Sequence, residues 1–224
     1  MSEIVMITSG KGGVGKTTTT ALMGLQLSQM DKKVVLIDTD FGLRNLDILF
    51  SLENKIIYNI VDVLHGTCTL KQALLAITDN LYLIPGTKNT DFRLTTDNLL
   101  PILSILEEQF DYILIDTPAG ITDTHRCLLP CVSQSILVTT WDKASISDGI
   151  AMSRLLHCMD KPIRCILNEQ HAKHLPAFWN KHPEEICFEF FDGDYIGTIP
   201  FQKEIIMHCK QRTSKSIRQI CTKL

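Results

Sequence analysis

Short, nearly continuous apolar runs punctuate the chain at residues 4–8, 34–38, 81–84, 112–116, 135–139 and 163–168. Each is rich in Ile, Val and Leu and lacks the apolar–polar alternation of a strand with one wet face, so each predicts a strand buried on both sides. Between them, residues 17–30, 59–64, 70–77, 97–108 and 145–159 carry apolar side chains at helical spacing. Strands alternating with helices predict an α/β fold of three layers, a mostly parallel sheet with helices on both faces. On such sheets ligands bind beyond the carboxyl ends of the strands, which directs attention to the loops after Thr8, Asp38, Asp116 and Asn168. No internal repeat and no linker rich in Pro, Gly or Ser interrupts residues 1–224, so one domain is expected. Residues 169–192, polar and rich in His, fit neither periodicity and read as an irregular insertion.

The first of those loops carries chemistry. Residues 4–8 run into Gly10-Lys11-Gly12-Gly13-Val14-Gly15-Lys16-Thr17 and then a helical segment, which fits G-x-x-x-x-G-K-[ST] in the strand–loop–helix setting it requires. This pattern lets successive backbone N–H groups face one anion, and the helix N-terminus adds its dipole. Gly10, Gly12, Gly13, Val14 and Gly15 are therefore read as phosphate-binding backbone. Lys16 is expected to reach the β- and γ-phosphates, the Thr17 hydroxyl to ligate Mg²⁺, and Thr18 to join the nucleotide contacts. Acids stand at the tips of two buried runs, in Leu36-Ile37-Asp38-Thr39-Asp40 and Leu114-Ile115-Asp116-Thr117-Pro118. Asp38 and Asp116 are placed for the Mg²⁺ shell, directly or through water, and Asp40 for orienting an attacking water. Ala119-Gly120 supplies a backbone N–H suited to sensing a γ-phosphate from a switch loop.

Composition narrows the setting. The 224 residues are 45% hydrophobic and 21% charged, with a net charge of −3, which argues against disorder and fibrous repeats. No run approaches 18 apolar residues and no basic region or cleavage site follows Met1, so neither a transmembrane helix nor export is expected. Eight cysteines without a CxxC pair read as reduced thiols in a cytoplasmic protein. The charge is uneven: residues 202–224 hold six Lys or Arg against Glu204, leaving residues 1–201 at −8. Such a basic end could meet an anionic membrane or nucleic acid.

A P-loop with Lys directly after its first Gly, here Lys11, resembles the deviant Walker A motif of the MinD/ParA family. Asp38-Thr39-Asp40-Phe41-Gly42-Leu43-Arg44-Asn45-Leu46-Asp47 is similar to the D-x-D-x-G-L-R-N-L-D form of its MinD branch, whereas partitioning ParA proteins usually carry D-x-D-P-Q. Further MinD-like phrases, among them Asn80-Leu81-Tyr82-Leu83-Ile84-Pro85-Gly86 and Asp116-Thr117-Pro118-Ala119-Gly120-Ile121, make the resemblance dense over residues 3–122. It implies an ATP- and Mg²⁺-dependent homodimer acting in division-site positioning, with Lys11 reaching the phosphates of the other subunit and regulators of the MinC and MinE kind as partners. It also implies adenine recognition by Asn168 at the end of the sixth strand, and by the backbone of Gly197-Thr198-Ile199-Pro200, which places Pro200 in the pocket.

Two stretches depart from that pattern. Thr140-Trp141-Asp142-Lys143 stands where MinD reads T-N-P-E, beside the helix on which MinC and MinE dock. The basic amphipathic extension that carries MinD to the membrane is expected to be missing; Ile217, Ile220, Cys221 and Leu224 form one apolar stripe opposite Lys and Arg. Two readings of the stripe are open, a peripheral helix on the inner face of the cell membrane and the last core helix of the fold. Rival functions are a ParA-type DNA-partitioning ATPase using the basic end and a metallocentre-assembly ATPase bridging metal through Cys127 and Cys131. His171, His174 and His182 read as loop residues rather than ligands.

Overall fold

A computed structural model describes residues 2–168, 182–200 and 215–224. In chain order the elements are β1 (Glu3–Thr8), α1 (Lys16–Ser28), β2 (Val34–Asp38), α2 (Leu46–Leu49), α3 (Ile60–Leu64), α4 (Leu70–Ala73), β3 (Leu75–Ala76), β4 (Leu81–Ile84), α5 (Thr96–Glu107), β5 (Tyr112–Asp116) and α6 (Asp123–Leu128). They continue with β6 (Gln134–Thr139), α7 (Lys143–Leu156), β7 (Ile163–Asn168), α8 (Pro183–Phe191), β8 (Asp194–Ile199) and α9 (Lys215–Cys221). The strands form one sheet in the order β3-β4-β2-β5-β1-β6-β7-β8, parallel throughout except for β3 against β4.

The apolar runs explain the layering. Because side chains alternate across a strand, Ile4 and Met6 of β1 and Val35 and Ile37 of β2 face one hydrophobic cluster, while Val5, Ile7, Val34 and Leu36 face another. α3, α5, α6, α7 and α8 close the first cluster. α1, α2 and α9 close the second. The strand order reverses around β1, so the loops after β1, β2 and β5 converge at one edge of the sheet, where a ligand crevice forms.

Two expectations need correction, and one strand lies outside the expected set. The helix expected over residues 70–77 stops at Ala73: Leu74 is extended, and residues 75–76 pair antiparallel with β4 through a turn in which Ile77 and Thr78 donate to the Leu81 carbonyl. Pairing on an exposed sheet edge outweighs the local helical pattern. The expected irregular stretch 169–192 contains α8, started by Pro183 at its first turn and by a capping box between His182 and Glu185. Residues 169–181, with His171 and His174, lie outside the described residues. Finally, β8 is a full strand leading to Pro200, the edge of the sheet as described.

The stripe at the end of the chain resolves in favour of a core helix. Ile217, Ile220 and Cys221 are buried in the second cluster against α1 and β8, and Leu224 packs partly buried beside them. Those side chains are therefore not available as a membrane-facing stripe. Among the described residues no helix is long and apolar enough to cross a membrane.

Candidate functional site

The loop between β1 and α1 wraps a cavity of about 410 Å³, lined by Gly12, Gly13, Gly15, Lys16, Thr17, Thr18 and, from the facing loops, Asp40, Leu43, Asn45, Ile48, Leu49 and Ala119. Gly13 and Gly15 have φ of 78° and 90°, a left-handed backbone that only glycine adopts without strain. Gly15 is the residue before α1, so this turn aims the first N–H groups of the helix at the cavity. Gly10 has a different reason. A Cβ there would sit 2.1 Å from the Asp148 carbonyl oxygen, so the loop can lie against α7 only without a side chain. Val14 is buried in the second cluster and fixes the loop to the core.

The expected acids gather around Lys16. Asp38 and Asp116 are register partners at the tips of β2 and β5, both buried, and Asp40 lines the cavity. Burial, then the Asp116 charge, pushes the Asp38 carboxyl up to about 8. Its two oxygens receive the N–H groups of Asp40 (3.0 Å) and Leu46 (3.3 Å), so Asp38 also shapes the loop that carries Asp40. Burial raises Asp116 to about 6 against the opposing pull of Lys16 and of the Thr17 and Thr20 hydroxyls. Thr20 donates to its Oδ1 at 3.2 Å, while Oδ2 is buried with no hydrogen-bond partner. An orphaned buried carboxylate oxygen beside Thr17 is the acceptor that a hydrated Mg²⁺ would satisfy. Burial also raises Asp40, with Lys16 opposing.

Lys11 leaves the loop on its outer side. In the single chain its Nζ pairs with Asp142 Oδ1 at 3.1 Å, both side chains about half exposed. Asp142 is the N-cap of α7: its carboxylate receives the Ser145 N–H and the hydroxyls of Thr140 and Ser145, bonds that together hold it well below the usual carboxylate range despite partial burial. Gly120 (φ 73°) donates its N–H to the Ser9 carbonyl at 3.2 Å, closing the loop after β5 onto the end of β1. Asn168 is buried and its Nδ2 donates to the Val14 carbonyl at 2.8 Å, tying β7 to the phosphate loop, and half-buried Pro200 follows β8.

Some residues of the site were not singled out from sequence. Thr20 stands two positions beyond the Thr17-Thr18 hydroxyls and Ile48 just after the acidic phrase, while Leu43 and Asn45 lie within D-x-D-x-G-L-R-N-L-D, which is their signal. His125 has no sequence signal, yet it sits fully buried behind the loop after β5. The cysteines offered as metal ligands are engaged otherwise: Cys127 Sγ donates to the Leu94 carbonyl and Cys131 Sγ to the Cys127 carbonyl, and burial pushes both thiols up, away from thiolate.

A glycine-rich anion loop at a helix N-terminus, a buried lysine and three acids on adjoining strand ends define a P-loop nucleotide hydrolase. Comparison with known proteins agrees. A ParA family model, described as NUBPL iron-transfer P-loop NTPase, matches residues 1–222. The septum site-determining protein MinD of Synechocystis sp. is 43% identical over 211 residues, covering 92% of this chain and 79% of that protein. In three dimensions the MinC:MinD cell division protein complex of Aquifex aeolicus aligns with a TM-score of 0.83 at 30% identity, over 99% of this chain and 95% of the other. MinD of Pyrococcus horikoshii complexed with Mg-ADP gives 0.83 at 25% identity, over 100% and 96%. The chain belongs to the MinD/ParA family of P-loop ATPases.

Proposed function

We propose that this chain, as a single domain, is an ATP-driven dimerisation switch of the cytoplasm that acts in placing the division septum. The observation that carries the switch is the rim of the phosphate cavity, where Leu43 and Ile48 are 66% and 59% exposed among the residues that line it with Lys16 and Asp40. Apolar side chains of that size beside a charged ligand site suit burial against a second copy. The loop N–H groups and Lys16 hold the β- and γ-phosphates, and Thr17 with Asp38 and Asp116, the acids directly or through water, would hold Mg²⁺. The metal, when bound, neutralises charge on the phosphate oxygens. Asp40 orients the attacking water, and Lys11 leaves Asp142 to place its charge on the partner's phosphates, as an arginine finger does elsewhere. The Asn168 Oδ1, with Nδ2 spent on Val14, receives the adenine amino group, and the backbone before Pro200 lines the base.

Septum placement rests on the likeness to MinD proteins, and a MinC-like partner is the first to test. The Trp141-Asp142-Lys143 start of α7 gives the docking helix a different entry from the MinD pattern. A metal-carrier role is not favoured by Cys127 and Cys131, whose thiols bond backbone carbonyls.

Light scattering on the purified chain with Mg²⁺ and either ATP or ADP tests the switch. A dimer should form with ATP only, accumulate for Asp40→Ala, and be absent for Lys11→Ala; a monomer in both nucleotides overturns the reading. Depleting the protein from its cells should misplace septa, and normal septum position would remove the division-site part.

A further inference from the structure

One imidazole joins three segments that meet behind the nucleotide cavity. His125, in the first turn of α6, has Nε2 2.9 Å from Thr8 Oγ1 and 3.1 Å from Thr117 Oγ1. Its Nδ1 lies 2.9 Å from Thr122 Oγ1 and 3.3 Å from the Thr122 N–H. Because a backbone N–H only donates, Nδ1 is the acceptor and the ring proton sits on Nε2. The Thr117 hydroxyl gives its proton to the Ile7 carbonyl at 2.9 Å, which leaves its lone pairs for Nε2–H. The ring stays neutral: burial first, and the Lys16 charge second, hold it down to about 4.

Thr117 and Thr122 are the two stems of the loop Pro118-Ala119-Gly120-Ile121. Ala119 faces the cavity, and Gly120 holds the Ser9 carbonyl. Thr8 is the last residue of β1, two positions before Gly10. We propose that His125 is a positioning residue that staples both stems of this loop to the strand ends bearing the phosphate loop and Asp116, confining its response to the γ-phosphate to four residues. The inference deepens the switch reading and rests on it. With the stems fixed, exchanging the Gly120–Ser9 bond for a phosphate contact displaces only the tip of the loop, and the gain is not dissipated in the helix behind it. A plain helix cap would use Nδ1 alone. The Nε2 half, directed at Thr8 and Thr117, is the part a cap does not need.

The test separates those halves. His125→Asn keeps an acceptor at the Nδ1 position and loses the reach to Thr8 and Thr117. Thr8→Val removes one Nε2 partner while preserving shape, and it carries the test if the first variant does not fold. Steady-state ATP hydrolysis and the affinity for a fluorescent ADP are measured for each with wild type alongside. His125→Asn should lose about tenfold or more in kcat, and Thr8→Val about threefold, with ADP affinity unchanged, because misplacing a loop by a fraction of an ångström costs the transition state more than the ground state. Wild-type kcat in His125→Asn, or in Thr8→Val where His125→Asn does not fold, reduces the imidazole to a cap and overturns the proposal. So does a parallel loss of ADP affinity, which marks a general packing role. If wild type itself hydrolyses no ATP, the switch reading fails and takes this inference with it.

Discussion

The loops after β2 and β5 begin at paired residues, Asp38 and Asp116, and face the same cavity, yet they are held by opposite chemistry. The first is built on ionisable groups: Asp38 gathers the Asp40 and Leu46 N–H groups, and Arg44, at φ 52°, forms a buried pair with Asp47 at 2.5 Å. The second is held by a neutral ring among three threonines. Beside a site that must accept a highly charged ligand, the difference has a physical use. Ionisable anchors on the first loop respond to phosphate and metal. A neutral anchor on the second leaves that loop to be moved by its own backbone N–H.

Three perturbations bear on this contrast. The largest should come from Arg44→Met, which keeps the stem and strands the Asp47 carboxylate, 3% exposed. Removing one partner of a buried pair costs about 3–5 kcal/mol, and urea unfolding at neutral pH reads it; a loss under about 1 kcal/mol would place the pair effectively in water. Next is acid. His125 titrates near 4 folded and at 6.5 unfolded, so its contribution is complete above 6.5 and is lost as pH falls through 4. Asp38 and Asp116, raised in the fold, act in the opposite sense, so the comparison is made with His125→Asn. Between pH 7 and 4, wild type should lose about 3 kcal/mol relative to that variant; parallel stability curves contradict a neutral buried ring. The smallest belongs to the bond joining the loops, Thr39 Oγ1 to the Asp116 carbonyl at 2.7 Å. Thr39→Val should cost about 1 kcal/mol in the same unfolding assay, and an unchanged midpoint would show that the Thr39 N–H, which donates to the same carbonyl, suffices.

The first loop was legible in sequence and the second only in part, for a reason that lies in the residues. Asp38, Asp40 and the phosphate loop act through types and spacings that ligand chemistry dictates, and the buried strands through uninterrupted apolar runs. His125 contributes through contacts with Thr8, 117 positions away, and with Thr117 and Thr122. Nothing local distinguishes it from the other six histidines. The same holds for β3, which exists because β4 offers an edge, and for α9, whose stripe is compatible with lipid until α1 and β8 are seen against it. α8 had local signals, Pro183 and two glutamates in its first turn, which the polar, His-rich composition around it masked.

The burial of α9 has a consequence for how the protein is made. The inner face of α1, the helix that begins at the phosphate loop, is covered by Ile217, Ile220 and Cys221. During synthesis the nucleotide loop leaves the ribosome well before the residues that seal its helix, since Ile217 follows Thr17 by 200 positions. Until they emerge, the nascent chain carries an exposed apolar face on α1, open to chaperones. A sealed α1 thus waits on the synthesis of α9, long after its own.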